Sequence, residues 1–133
     1  MIRSRNVDSA SPGNEFAQES VMLAISAAAS QAGVIQSGWR APYAGKVVSA
    51  HVYAATITDA DDGVRIDLQK AGVTMLPATV DPVAADTMTS LAPTVLTFAA
   101  GDKITVVATT GAGDAMIGNV ILIVRPLLGT EAL

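Results

Sequence analysis

The chain has 133 residues, which is enough for one domain with a hydrophobic core of its own. Half of the residues are hydrophobic but only 4% are aromatic, and the charged share of 15% is below that of ordinary soluble domains, so the surface is poor in charge. The net charge of −4 and the scattered Lys and Arg residues exclude the basic footprint of a nucleic-acid-binding protein, and the lack of cysteine excludes disulfides, thiol chemistry and Cys-based zinc sites.

Neither a signal peptide nor a membrane span is predicted. Residues Met1 to Asn14 are polar and lack the apolar core of a signal peptide, and no apolar run reaches the roughly 18 residues that a membrane helix needs. We therefore expect a protein made in the cytosol, without export by the usual N-terminal route and without a membrane partner.

Residues 1–19 are predicted to form an extended arm ahead of the folded domain. They are rich in Ser, Asn, Asp and Glu, and their apolar residues Ile2, Val7 and Phe16 are isolated and follow no periodicity. A disordered tail has the same composition, and the sequence does not separate the two alternatives. The predicted organisation is an arm over 1–19, a β-sandwich domain over 20–126 and a short tail over 127–133.

The first half of the domain contains three predicted strands. Alternation places them at Ser20–Ala28, Gly33–Trp39 and Lys46–Ile57, although the alanines at 27–29 would suit a helix equally well. Along the third strand the pattern puts two sets of residues on opposite faces, Val48, Ala50, Val52 and Ala54 on one and Ser49, His51 and Tyr53 on the other.

The second half continues as short strands separated by Gly, Pro and Asp. The strands are predicted at Val64–Gln69, with a short continuation at Val73–Leu76, and then at Thr87–Leu91, Thr94–Phe98, Lys103–Thr109 and Met116–Arg125. The segment Pro77–Asp86 is predicted to be a loop. With about eight strands and no helix, the pattern favours an all-β fold, a jelly-roll-like sandwich of two sheets.

The last predicted strand differs from the others because both of its faces are apolar. Ile121 and Ile123 alternate with three other aliphatic residues, so each face of this strand needs a cover. One sandwich core covers only one face. We therefore expect Ile121 and Ile123 to meet either the arm or a neighbouring subunit, and the apolar tail with Leu127 and Leu128 to contact a partner.

No constellation of catalytic residues is apparent. His51 is the only histidine, and its neighbours on the strand face, Ser49 and Tyr53, form no known triad signature. The ordinary interpretation of the residue is a histidine on a sheet face or at an interface. We expect a protein that is not an enzyme and has no cofactor.

The acidic segment Asp59–Gly63 resembles a calcium loop in composition only. An EF-hand counted from Asp59 requires Gly at its sixth position and Glu at its twelfth, where this chain has Val64 and Lys70. A solvated turn is the ordinary interpretation of clustered Asp and Gly. Whether Asp59–Asp62 binds a cation in another way stays open, and no metal site is predicted.

Trp39 and Tyr43 form the one aromatic cluster in the sequence. Such a pair can stack against a sugar ring, anchor a protein interface, or plug the rim of the sandwich. We count both residues among the candidate partner-binding residues.

Three segments resemble small jelly-roll proteins of tailed bacteriophages. They are Trp39–Val48 (WRAPYAGKVV), Val64–Gly72 (VRIDLQKAG) and Phe98–Val106 (FAAGDKITV), which match an entry strand, a lysine-bearing strand and an AGD hairpin that recur in decoration, cement and fibre modules. The resemblance covers about residues 20 to 126. It marks the sandwich and its turns rather than a binding site.

The resemblance implies a capsid cement or decoration protein, which is assembled in the host cytoplasm and binds the outer surface of the virion capsid. Its expected partners are the major capsid protein and copies of itself, as a dimer or a trimer. An extended arm suits this role because it can cross a subunit boundary and order on binding. The alternative is a receptor- or carbohydrate-binding module of a tail fibre or baseplate, with the ligand held by loops at one end of the sandwich.

Overall fold

The structure, a computed structural model, describes residues 18–59, 63–82, 84–129 and 131. These residues form nine strands and no helix. The strands are β1 (Glu19–Ala27), β2 (Val34–Arg40), β3 (Gly45–Thr58), β4 (Val64–Lys70), β5 (Val73–Thr74), β6 (Thr87–Leu91), β7 (Thr97–Phe98), β8 (Lys103–Thr110) and β9 (Ala115–Pro126).

The strands pair into two antiparallel sheets. Sheet I has the order β1-β9-β3-β6, with the short β7 also pairing with β3, and sheet II has the order β2-β8-β4-β5. If β7 is set aside, the first strand pairs with the last, the second with the next to last, and so on inwards. This nested pairing makes the fold a jelly-roll-like sandwich, as the sequence predicted.

Alternation along each strand builds a single core between the sheets. In β1 every second residue from Val21 to Ala27 is buried, and β4 buries Val64, Ile66 and Leu68 in the same way. The core residues of both sheets belong to one hydrophobic cluster, and among the described residues Phe98 is its only fully buried aromatic residue. The thin, aliphatic core follows from the low aromatic content of the chain.

Two β-bulges modify the alternation between β9 and β3. The register shifts between Ile117 and Gly118 and again between Ile123 and Val124. Because of the second shift, the prediction that Val48 faces the core with Ala50 is wrong. Val48 is 46% exposed, and Val47 is buried in its place. Ala50, Val52 and Ala54 are buried as predicted, and Ser49, His51 and Tyr53 lie on the opposite face.

Several predicted boundaries also differ from the structure. β1 begins at Glu19 and ends at Ala27, before a turn in which Ser30 has a φ of 60°, so a helix over 27–29 is wrong. Only Thr97 and Phe98 of the segment 94–98 are in a strand, and Val73–Leu76 reduces to the pair Val73–Thr74. Of the predicted arm, residues 1–17 lie outside the described residues.

The edge strands β1 and β2 lie side by side and protect each other. On β1 the backbone amide of Ser26 donates to Gln36 Oε1 (3.1 Å), and the carbonyl of Ala24 accepts from Ser37 Oγ (2.9 Å). Two side chains of sheet II therefore form hydrogen bonds with backbone groups of β1 that would otherwise lack a protein partner at the edge of sheet I.

Candidate functional site

The outer face of sheet I carries an apolar surface that the sandwich leaves uncovered. The outward-facing side chains of sheet I lie in rows that run across the strands β1, β9, β3 and β6, because paired residues lie side by side. Met22 is 63% exposed, Ile117 56% and Met88 55%, and Ile121 and Ile123 lie half-buried between them. We call these five residues, Met22, Met88, Ile117, Ile121 and Ile123, the outer patch.

The outer patch is interrupted only by uncharged or weakly polar side chains. His51, Tyr53 and Asn119 share its central rows, and along the rows from Ile117 to Ile123 no described outward-facing residue is Asp, Glu, Lys or Arg. At its rim, Tyr53 donates a hydrogen bond to Asp86 (2.7 Å), and this bond is the main cause that raises the pKa of Tyr53. The face therefore mixes apolar and neutral polar side chains, without an Asp, Glu, Lys or Arg in its central rows.

Asn119 holds an unusual position within this face. Its Oδ1 is shielded from solvent and accepts no hydrogen bond from any residue that the structure describes. Its cross-strand neighbours are Ala24 and Tyr53. An unpaired amide oxygen costs free energy, and this one lies in the middle of the outer patch.

The outer face of sheet II is different in chemistry. Arg65 and Asp67 on β4 and Lys103 on β8 point away from the core. Asp67 accepts hydrogen bonds from Thr74 Oγ1 (2.5 Å) and Gln69 Nε2 (3.1 Å). Ile35, which is 60% exposed, and Val107 share this face with Asp67, so the face combines apolar and charged residues and differs from the outer patch in its charges.

An ion pair closes the end of sheet I beyond Ile123. Arg125 binds Glu131 through both guanidinium nitrogens, at 2.7 and 2.9 Å, and the amide of Leu128 also donates to Glu131. These bonds lower the pKa of Glu131 to about 2, with the hydrogen bond from Arg125 as the largest cause. The pair turns the tail back, so that Leu127 and Leu128 are half-buried against the chain itself.

Trp39 and Tyr43 lie at one end of the sandwich, away from the outer patch. Both rings pack on Phe98, with ring centroids 5.4 and 6.3 Å away, and the Tyr43 hydroxyl donates to Glu19. Burial is the first cause that raises the pKa of Tyr43 to about 12, and the bond to Glu19 is the second. The two aromatic residues extend the core to the rim of the sandwich. They therefore fill the rim, one of the three roles that the sequence analysis considered for them.

The only histidine faces outward from β3. His51 lies opposite Ser90 and Ile121 on the neighbouring strands. Its strand neighbours on the same face are Ser49 and Tyr53, as predicted, and the Tyr53 hydroxyl is engaged by Asp86. Within the described part of the chain, no hydrogen bond joins His51 to a serine hydroxyl.

Two aspartates, Asp59 and Asp114, lie near Gly63. Asp59 Oδ1 accepts from the Val64 amide (2.8 Å), and Asp114, only 5% exposed, lies against Gly63 so closely that a Cβ there would overlap its carboxylate. Residues 60–62 lie outside the described ranges. In those ranges no three His, Cys, Asp or Glu side chains are placed to hold a metal ion.

Comparison of the chain with models of protein families, with curated proteins and with solved structures finds no match in any of the three. Over the residues that the structure covers, no helix is long and apolar enough to cross a membrane.

The structure brings the candidate residues named from the sequence together in separate places, with Trp39 and Tyr43 in contact at one end of the sandwich. Ile121 and Ile123 lie in the outer patch, whereas the other described candidates lie elsewhere, and Ile2, Val7 and Phe16 lie outside the described residues. The sequence analysis missed Met22, Met88 and Ile117. A signal existed for Met22, which lies between the inward-facing Val21 and Leu23 and must therefore point outward.

Proposed function

We propose that this protein is a virion structural protein, a decoration or cement protein that binds the outer capsid surface of a tailed bacteriophage and bridges major capsid subunits. The observation that carries the proposal is the outer patch. Exposed apolar side chains gathered on one sheet face of a small, charge-poor protein indicate a surface that another protein covers. The sequence resemblance supplies the phage capsid as the setting.

The arrangement of the fold supports a binding role rather than a catalytic one. The five apolar side chains of the outer patch come from three strands of one sheet, so the surface is preorganised and loses little conformational entropy on binding. Each contact can be weak, because many copies on a shell act together. Residues before Gln18 belong to the proposal as an additional capsid contact.

The test uses purified protein and empty, expanded capsids that lack it. We expect saturable co-sedimentation and a higher temperature of capsid breakage. Deletion of residues 1–17 leaves β1 whole, since this strand begins at Glu19, and should weaken binding without changing the unfolding temperature of the protein.

A matched pair of variants tests the outer patch in the same assay. Met22→Lys combined with Ile117→Lys introduces two charges on exposed side chains of the patch, and Val73→Lys introduces one at a site of sheet II that is 68% exposed. We expect the first variant to bind the capsid at least tenfold more weakly and the second to bind normally. No binding of the wild-type protein would contradict the cement function and favour the fibre or baseplate module, which glycan screening would then examine.

A further inference from the structure

The described methionines of this chain divide into two exposed and two buried residues. Met22 is 63% exposed and Met88 55%, whereas Met75 and Met116 are 0% and 1% exposed and belong to the hydrophobic core. Met1 lies outside the described residues. A thioether is oxidised where the oxidant can reach its sulfur, so the fold separates two accessible methionines from two protected ones.

Both exposed methionines belong to the outer patch and lie at its two margins. Sheet I has the order β1-β9-β3-β6, so Met22 on β1 and Met88 on β6 occupy its two edge strands. Met22 is paired with Ile121, and Met88 with Tyr53. Methionine supplies apolar area as leucine or isoleucine does, but it is the aliphatic side chain that a mild oxidant makes polar. Two of the five side chains of the outer patch can therefore change their polarity.

The oxidation of a methionine changes its polarity without adding a charge. A sulfur lone pair attacks one oxygen of hydrogen peroxide, and the S–O bond forms as the O–O bond breaks. The leaving hydroxide takes the proton from the transferred oxygen and departs as water, so the sulfur loses two electrons and the peroxide gains them. The product is a sulfoxide, a polar and chiral side chain. Because the chain contains no cysteine, no thiol of its own competes for the peroxide.

We propose that Met22 and Met88 form a redox-sensitive modification site, at which oxidation by a peroxide makes the outer patch polar and lowers its affinity for a protein that covers it. The effect on affinity rests on the proposed function, because it requires a partner on the outer patch. A sulfoxide oxygen that is buried against an apolar partner loses its hydrogen bonds to water, so the oxidised protein binds at least about tenfold more weakly. Reductases specific for the two sulfoxide epimers reverse the change, which makes the modification a switch.

Peptide mapping by mass spectrometry tests the selectivity of the oxidation. The folded full chain is treated with hydrogen peroxide, and the sulfoxide content of each methionine is followed over time. A buried thioether reacts only when the structure opens, so Met22 and Met88 should oxidise at least about tenfold faster than Met75 and Met116. In urea the four rates should become similar, since the fold sets the difference. Similar rates in the folded chain would overturn the proposed site.

Retention on a hydrophobic-interaction column tests the change in polarity without any partner. The oxidised wild-type chain should elute earlier than the reduced one. The matched control, Met22→Leu combined with Met88→Leu, keeps two apolar side chains of similar volume but has no thioether at either position, so peroxide should leave its retention unchanged. Met22→Gln combined with Met88→Gln is polar at both positions without peroxide and should also elute early. Unchanged retention of the oxidised wild-type chain would contradict the inference.

Co-sedimentation with empty, expanded capsids separates a failure of this inference from a failure of the proposed function. The reduced wild-type chain and the peroxide-treated leucine variant should bind normally, the oxidised wild-type chain at least about tenfold more weakly, and reductase treatment should restore its binding. Equal binding of the oxidised and reduced chains would refute the effect on affinity and leave the cement function standing. If no form binds, the cement function and the effect on affinity fall together, and selective oxidation with earlier elution would still establish the modification site.

Discussion

Gly118 lies at a bulge where β9 passes very close to β3. A Cβ at this position would overlap the carbonyl oxygen of Tyr53 and approach Met116 Cε at 3.1 Å. The backbone of a central strand cannot move aside without disturbing the pairing on both of its edges. A side chain at position 118 is therefore incompatible with the observed register.

We predict that Gly118→Ala lowers the free energy of unfolding by about 1–3 kcal/mol, the usual cost of overpacking. The matched control is Gly38→Ala in β2, where the nearest atom to an added Cβ is Lys103 Cε at 2.8 Å. The flexible end of Lys103 can turn away, and the next atom, Thr105 Cγ2 at 3.0 Å, is a side-chain atom rather than backbone, so the control should lose less stability than Gly118→Ala. Urea unfolding followed by Trp39 fluorescence measures both values, and equal losses would contradict the argument.

At the scale of elements, the protection of one edge strand by another depends on two side chains. Gln36 accepts a hydrogen bond from the amide of Ser26, and Ser37 donates one to the carbonyl of Ala24. Both bonds join β2 of sheet II to β1 of sheet I, although the strands belong to different sheets. These hydrogen bonds join the two sheets along one side of the sandwich. They leave fewer unpaired backbone N–H and C=O groups that could pair with the strand of another chain.

Removing one of these side chains should open the edge locally. We predict that Gln36→Ala raises the hydrogen-exchange rate of the Ser26 amide by a few-fold to tenfold, in line with about 0.5–1.5 kcal/mol for one hydrogen bond. Ser90→Ala changes the other edge of sheet I, in β6, and should leave that amide unaffected. Unchanged exchange at Ser26 in Gln36→Ala would show that other contacts protect this edge.

The strands also show where the alternation of apolar and polar residues predicts the buried face and where it does not. Alternation correctly predicted the buried faces of β1 and β4, because successive side chains of a strand point to opposite sides. It failed at Val48, because the bulge adds a residue and changes the face of every residue beyond it. Nothing in the local sequence marks that bulge, which results from the pairing of β3 with β9.

At the scale of the whole molecule, the two sheets share one hydrophobic core. Leu122 of sheet I and Leu68 of sheet II are both fully buried and belong to the same cluster. A core of this kind makes the sandwich a single cooperative unit, since neither sheet can bury its apolar face alone.

Cavities in either sheet should therefore weaken the same transition. We predict that Leu122→Ala and Leu68→Ala each lower the free energy of unfolding by about 2–5 kcal/mol. In both variants, Trp39 fluorescence and far-UV circular dichroism should report one coincident transition. Two separated transitions in either variant would show that the sheets unfold independently.

The sequence by itself determined the class of the fold, most of the strands and the position of Ile121 and Ile123 on the opposite face of their strand from Val120, Leu122 and Val124. These are local properties, because they follow from the period of two and from the composition of single strands. The tertiary structure decided which strands are neighbours, and so it decided that Met22, Met88 and Ile117 join the two isoleucines in one patch with Asn119 at its centre. Those residues come from strands far apart in the chain, and the physical reason is that backbone pairing between distant strands, rather than any local pattern, sets which side chains share a face.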